Sequence, residues 1–194
     1  LDAAHQDSQI QEVVGVFPNI NIFPKFDAEC MDIPGGPQIE TWISKDVVNY
    51  TNQWLNLSPQ RWAAAGYSTG AWCSTMLAIK QPQQYSIAAS IAGYYTPYVA
   101  SQVNATNRKI LKGTYNIEDI LRTNPPSSSL FIVDSIDDKT SHKNTDQFLG
   151  IAQKPVQVTR FVLQGGGHNF TAWRRVLPSM IFWLGTQLSN PART

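Results

Sequence analysis

The chain has 194 residues, of which 42% are hydrophobic and only 15% charged, with a formal net charge of +1. That composition builds a globular body with a sizeable core and excludes a disordered chain. A near-neutral balance with no basic run leaves no electrostatic footprint for nucleic acid, and no apolar run reaches the roughly 18 residues of a membrane span.

In chain order, residues 1–11 read as a helix end or an exposed lead-in. Val13 to Phe17 is a short apolar run closed by Pro18-Asn19 and predicts a buried parallel strand. Residues 19–38 are rich in proline and glycine, contain Cys30, and predict a long covering loop. Ile39, Trp42, Ile43, Val47, Tyr50 and Trp54 recur at steps of three and four, which predicts an amphipathic helix. Asn56 to Gln60 is a turn around Pro59.

Arg61 to Tyr67 predicts a strand and Thr69 to Gln81 a helix stopped by Pro82. Ile87 to Ala92 is the next strand, and Gly93 to Gly113 reads as irregular. Asn116 to Arg122 predicts one short helix, Thr123 to Ser129 a linker and Leu130 to Val133 a strand. Ser141 to Ala152 predicts a helix, and Val156 to Leu163 a strand. Thr171 to Leu188 is a closing helix in which Pro178 would introduce a kink. No internal repeat is present. Strands alternating with helices over one chain imply a single α/β domain, with a mostly parallel sheet covered by helices on both faces.

Between the strand ending at Tyr67 and the helix starting at Thr69 lies Gly66-Tyr67-Ser68-Thr69-Gly70. Strand, tight turn with a central serine, then helix is the context of a nucleophile elbow. Side chains in place of the two glycines are expected to collide with the strand and helix. A serine hydroxyl needs a base, and the base an orienting carboxylate. Of the three histidines, His168 follows a strand and three glycines and is the candidate base. His5 precedes any sheet strand, and His142 begins a surface helix.

Asp138, at the turn after Val133, is the preferred acid, with Asp137 the alternative and Asp134 a strand-end residue. The backbone N–H of Thr69, next after the nucleophile, is the expected oxyanion donor. A second donor is not evident; Gly35-Gly36 is a substitute that follows the wrong strand. Tyr94, Tyr95 and Tyr98 could line an acyl or sugar site or simply pack a loop. Cys30 and Cys73 form no zinc pattern, and no cofactor or metal is expected. Either they bridge, pinning the loop over the site, or they are two small buried thiols.

Gly66 to Cys73, Ser90-Ile91-Ala92-Gly93-Tyr94-Tyr95, Gly166-Gly167-His168 and Trp173 together resemble the putative esterase family of α/β-hydrolases, which includes esterase D-like enzymes and mycolyltransferases. Cys30-Met31-Asp32, Gly35-Gly36-Pro37 and Glu40-Thr41-Trp42 are similar to a secreted, actinobacterial-type subgroup. The resemblance implies an α/β-hydrolase fold, ester substrates that are small molecules or lipids, and Ser68, His168 and Asp138 as nucleophile, base and acid. In the subgroup, a cysteine at position 30 faces the one after the elbow, which implies an oxidising, extracytoplasmic location.

The resemblance also implies earlier strands and an oxyanion loop ahead of Leu1. Association with a membrane or cell envelope through that region is a corresponding expectation. Three readings follow: an esterase, an acyltransferase moving the acyl group to a sugar or lipid hydroxyl, and a non-catalytic binding domain on a hydrolase fold.

Overall fold

The computed structural model describes residues 13–23, 26–56 and 62–189. The lead-in at 1–11 and most of the turn at 56–60 fall outside the described residues, as does Arg61.

Four parallel strands form one sheet in the order β1-β2-β3-β4: β1 Ala63–Tyr67, β2 Ile87–Ile91, β3 Ser129–Ser135 and β4 Gln157–Leu163. In register, Gly66 lies beside Ser90, Ser90 beside Ile132, and Ile132 beside Arg160. Every residue of β2 and β3 is buried, as expected of central strands covered on both faces; Ser90 in β2 and Ser129, Asp134 and Ser135 in β3 are the polar exceptions in otherwise apolar runs. β4 alternates exposed and half-buried positions because it is an edge.

Because the strands follow one another in one direction across the sheet, the right-handed crossovers deliver their helices to one face. That face carries α1, built from Ile39–Thr41, a π-helical stretch Trp42–Val47 and Val48–Trp54. It also carries α2 (Thr69–Lys80), whose Trp72, Met76, Leu77 and Ile79 are buried with Ala88, Leu130 and Ile132 in the larger core. α3 (Ala105–Thr114), α4 (Ile117–Thr123) and α5 (Lys139–Leu149) add Leu111, Leu121 and Phe148 to it.

The chain then returns across the opposite face as α6 (Phe170–Trp173) and α7 (Leu177–Leu188). There Trp173, Val176 and Met180 cover Ala89, Ile91, Phe131 and Val133. Both faces are thus closed, as expected for an α/β sheet. Each fully buried large apolar side chain contributes roughly 1.5–3 kcal/mol.

Some expectations need correcting. Val13 to Phe17 is not a buried strand: it joins no ladder, and Phe17 is 92% exposed. Its peptide groups have no sheet edge to pair with, because a cavity of about 610 Å³ separates Val16, Phe17 and Ile20 from β1. The outer edge of β1 is consequently bare among the described residues. On α1 the core stripe is Ile39, Ile43 and Val48, whereas Tyr50 and Trp54 are exposed; the π-helical stretch shifts the register of the helix face.

Residues 105–114 are helical, not irregular: the Asn104 side chain accepts from the Asn107 N–H and caps α3. The closing segment is two helices, and Pro178 lies at the start of the second. There its missing N–H costs nothing and its fixed φ suits the first turn, so it begins α7 instead of kinking it.

Two cross-links tie α1 and the covering loop to α2. Lys80 donates to both carboxylate oxygens of Glu40, at 2.8 and 3.1 Å, and Gln81 adds a third bond at 2.7 Å. Cys30 and Cys73 form a disulfide that closes a separation of 43 residues. Replacing both cysteines by serine is expected to lower unfolding stability by roughly 2–4 kcal/mol through greater freedom of the unfolded chain; urea titration of the two proteins under oxidising conditions measures it.

Candidate active site

β1 ends at Tyr67 and α2 begins at Thr69, so Ser68 alone makes the turn. Its backbone sits at φ 54°, ψ −118°, a region that L-residues avoid. The ladder holds it there: Ser68 N–H donates to Ile91 O at 2.9 Å, and Ser68 O accepts from the N–H of Ala71 and Trp72.

The glycine pair is asymmetric. A Cβ on Gly66 would lie 2.4 Å from the carbonyl carbon and oxygen of Gly70. A Cβ on Gly70 would meet nothing within 4 Å, so the expected collision applies to the first glycine only. What the fold needs is the close approach of the first helical turn to the strand, and Gly66 alone permits it.

His168 comes from the loop after β4. Gly166 and Gly167 have φ of 119° and 63°, and a Cβ on Gly166 would press on Ala172 at 2.6 Å. Asn169, next to His168, caps α6 by accepting from the Ala172 N–H at 3.0 Å. The imidazole stands edge-on to Trp173, centroids 4.9 Å apart, and the same indole also packs against Tyr67 at 4.6 Å.

The structure brings the three sequence-singled side chains together. Ser68 Oγ lies 3.1 Å from His168 Nε2, and His168 Nδ1 lies 2.6 Å from Asp138 Oδ2. A carboxylate only accepts, so Nδ1 carries the hydrogen and Nε2 is left to accept from the serine hydroxyl. Asp138 is 8% exposed and its other oxygen accepts from Ser141 N–H at 3.2 Å, capping α5.

Its neighbour Asp137 does something else: its Oδ2 accepts from Gly166 N–H at 3.1 Å and so braces the histidine loop. Asp134, fully buried, pairs with Arg160 and with His142, which also removes His142 from the site. His5 lies outside the described residues. Gly35-Gly36 is spent in a tight turn, with Gly36 N–H donating to Ile33 O at 2.8 Å.

Thr69 starts α2 with its N–H at the positive end of the helix, suited to developing negative charge. Ser68, Thr69 and Gly70 line the 610 Å³ cavity together with Phe17, Ile20 and Asn21. Of the tyrosines, Tyr95 is buried against Phe148, Tyr98 is exposed, and Tyr94 touches Thr69. Sequence reading missed Glu29, which packs beside Tyr94; a lone acid in a proline-rich loop gave no signal. No group of residues able to hold a metal ion occurs among the described residues, and no described helix is long and apolar enough to cross a membrane.

A parallel sheet with serine on a strand-to-helix turn, and with imidazole and carboxylate on the next strand ends, defines the α/β-hydrolase class. The family model described as "Putative esterase" matches residues 7–154, and the chain belongs to that family. Among solved structures it is similar to a ferulic acid esterase (18% identity, TM-score 0.70, covering 97% of this chain and 76% of that one). It is also similar to an S-formylglutathione hydrolase from Agrobacterium tumefaciens (15%, 0.69, 83% and 63%). A third is FphF, a fluorophosphonate-binding serine hydrolase of Staphylococcus aureus (16%, 0.63, 81% and 67%). At these identities the likeness is one of fold, and the chain spans under two thirds of the formylglutathione hydrolase. A search of curated proteins finds no match.

The asymmetry of the elbow glycines can be measured. Gly66→Ala should cost at least 2–3 kcal/mol (on the order of an overpacked core site) or prevent folding, whereas Gly70→Ala should lie within about 1 kcal/mol of the unmodified protein. Thermal unfolding of both variants checks it.

Proposed function

We propose that the chain is a single-domain serine esterase that cleaves carboxylic esters through an acyl-Ser68 intermediate. The observation that carries this is the unbroken run of contacts from Ser68 Oγ to His168 to buried Asp138, at 3.1 and 2.6 Å. In this reading His168 Nε2 takes the hydroxyl proton as Ser68 attacks the ester carbonyl. The imidazolium, held by Asp138, then returns that proton to the leaving alkoxide, and a water activated the same way frees the acid. The Thr69 N–H meets the oxyanion of each tetrahedral intermediate.

Membership of an esterase family supports ester hydrolysis in general. The cavity beside Ser68 is lined by uncharged residues, Phe17, Trp62 and Tyr85 among them, which supports an uncharged small-molecule or lipid ester as substrate. The Cys30–Cys73 disulfide supports an extracytoplasmic setting, where such bridges persist.

A fluorophosphonate probe should label the protein and leave Ser68→Ala unlabelled; a wild-type protein that takes no label would refute the reading. On p-nitrophenyl esters, Asp138→Asn should lower kcat by about 10³–10⁴-fold, because the imidazole loses the tautomer it needs. Asp137→Asn, which weakens only the brace on the histidine loop, should cost far less. Equal losses in the two variants would count against Asp138 as the acid. Adding an alcohol acceptor separates hydrolysis from acyl transfer: product release that accelerates with acceptor would reassign the enzyme as a transferase.

A further inference from the structure

Among the described residues the buried carboxylates are Glu29, Glu40, Asp134 and Asp138. Glu40 has Lys80, Asp134 has Arg160, and Asp138 has His168. Glu29, only 5% exposed, is in no ion pair among the described residues and instead meets the Tyr94 hydroxyl. Tyr94 Oη in turn lies 3.3 Å from Thr69 Oγ1. The chain Glu29–Tyr94–Thr69 therefore ends on the residue directly after the nucleophile, beside the cleft that Thr69 lines with Ser68.

The start of that chain is firmly built. Glu29 and Cys30 both adopt positive φ, 50° and 61°. The turn is held by Glu29 N–H donating to Asp27 at 2.9 Å, by Trp72 Nε1–H donating to Glu29 O at 2.9 Å, and by the Cys30–Cys73 disulfide. Trp72 and Cys73 both belong to α2, so the loop and the elbow's helix move as one piece.

We propose that Glu29 and Tyr94 are positioning residues that aim the Thr69 hydroxyl hydrogen into the cleft, where it serves an acyl oxygen as a second donor beside the Thr69 N–H. The inference rests on Ser68 being the nucleophile. A phenol has one hydrogen and an ionised carboxylate can only accept, so ionising Glu29 fixes the direction of the chain, whereas protonating it supplies the donor that lets the chain reverse. With Glu29 protonated, its O–H donates to Tyr94 Oη, Tyr94 donates to Thr69 Oγ1, and the Thr69 hydrogen is left for an acceptor in the cleft. With Glu29 ionised, Tyr94 donates to the carboxylate, Tyr94 Oη takes the Thr69 hydrogen, and the cleft loses that donor.

Burial raises the Glu29 carboxyl to about 7, with the Tyr94 hydrogen bond opposing and Asp27 reinforcing the shift. Burial also pushes the Tyr94 phenol up, so Tyr94 keeps its hydrogen throughout. The groups facing Glu29 are Asp27 from its own segment, Tyr94 from the loop after β2, and Trp72 and, through Tyr94, Thr69 from α2. A raised carboxyl pKa means that the productive, protonated form prevails below about pH 7 and is lost above it.

The test is kcat and KM on a p-nitrophenyl ester between about pH 5.5 and 9, a range that brackets the titration. Thr69→Val should lose on the order of 100-fold in kcat with KM little changed, as for removal of one oxyanion donor, and Thr69→Ser should restore it. The wild-type kcat should fall as pH rises through the Glu29 titration. Glu29→Gln, whose uncharged amide can donate an N–H to Tyr94 at every pH as the carboxylic acid does below its titration, should abolish that alkaline fall and leave the rest of the profile unchanged. Tyr94→Phe should lower kcat and flatten the alkaline limb. A Thr69→Val enzyme with wild-type kcat, or a Glu29→Gln profile that falls with pH like the wild type, overturns the proposal. Should Thr69→Val fail to fold, the near-isosteric Glu29→Gln profile still decides. A wild-type protein that resists the fluorophosphonate would overturn the Ser68 reading and this inference together, whereas a labelled Thr69→Val with wild-type kcat sinks this inference alone.

Discussion

Everything in this molecule is arranged around the distance between a strand and the helix that follows it. At Gly66 the backbone of the first helical turn comes so near that one methyl group would have to share space with the Gly70 carbonyl. That contact forces the single linking residue, Ser68, into a backbone conformation it would not choose, and the hydrogen bond to Ile91 keeps it there. The side chain has nowhere to point but outward, past the carboxyl ends of the strands. The strain is local, and the tightly packed α2 beneath it, with Trp72 and Met76 fully buried, is what resists its release.

The neighbouring strand ends complete the arrangement by reusing ordinary helix-capping chemistry. Asp138 is both the cap of α5 and the partner of His168. Asn169, adjacent to that histidine, caps α6. Each candidate catalytic side chain thus lies within two residues of a helix start, where unpaired N–H groups demand a fixed geometry. Loops so constrained hold their side chains as rigidly as the elements they connect. Asp137, one residue away from the acid, contributes by holding the glycine loop instead of the imidazole.

The sheet and the site were legible in the sequence for different reasons. β2 and β3 read clearly because they are buried on both faces and carry the apolar runs Ile87 to Ala89 and Leu130 to Val133. Ser68 and His168 stand out as candidates because glycine punctuates both turns, and the Asp137-Asp138 pair because it follows β3 at a short interval. What escaped was whatever depends on contacts distant in sequence. Val13 to Phe17 has strand composition, but composition cannot reveal whether a partner edge is in reach. Tyr50 and Trp54 keep helical spacing yet face outward, since a π-helical stretch changes which side is buried. Asp137 and Asp138 are indistinguishable until the loop 30 residues later is placed. Glu29 gave no sign at all, because Tyr94 and the disulfide partner Cys73 that surround it lie far along the chain.

The bare edge of β1 carries one more consequence. Among the described residues no strand pairs with that row of backbone donors and acceptors, and an edge of this kind is a template for strand addition. Neither proline nor lysine guards that strand, whose residues are alanine, glycine and tyrosine. Whatever strand comes to cover this rim would pair through backbone groups, and a charge or proline placed there is the change that would block it.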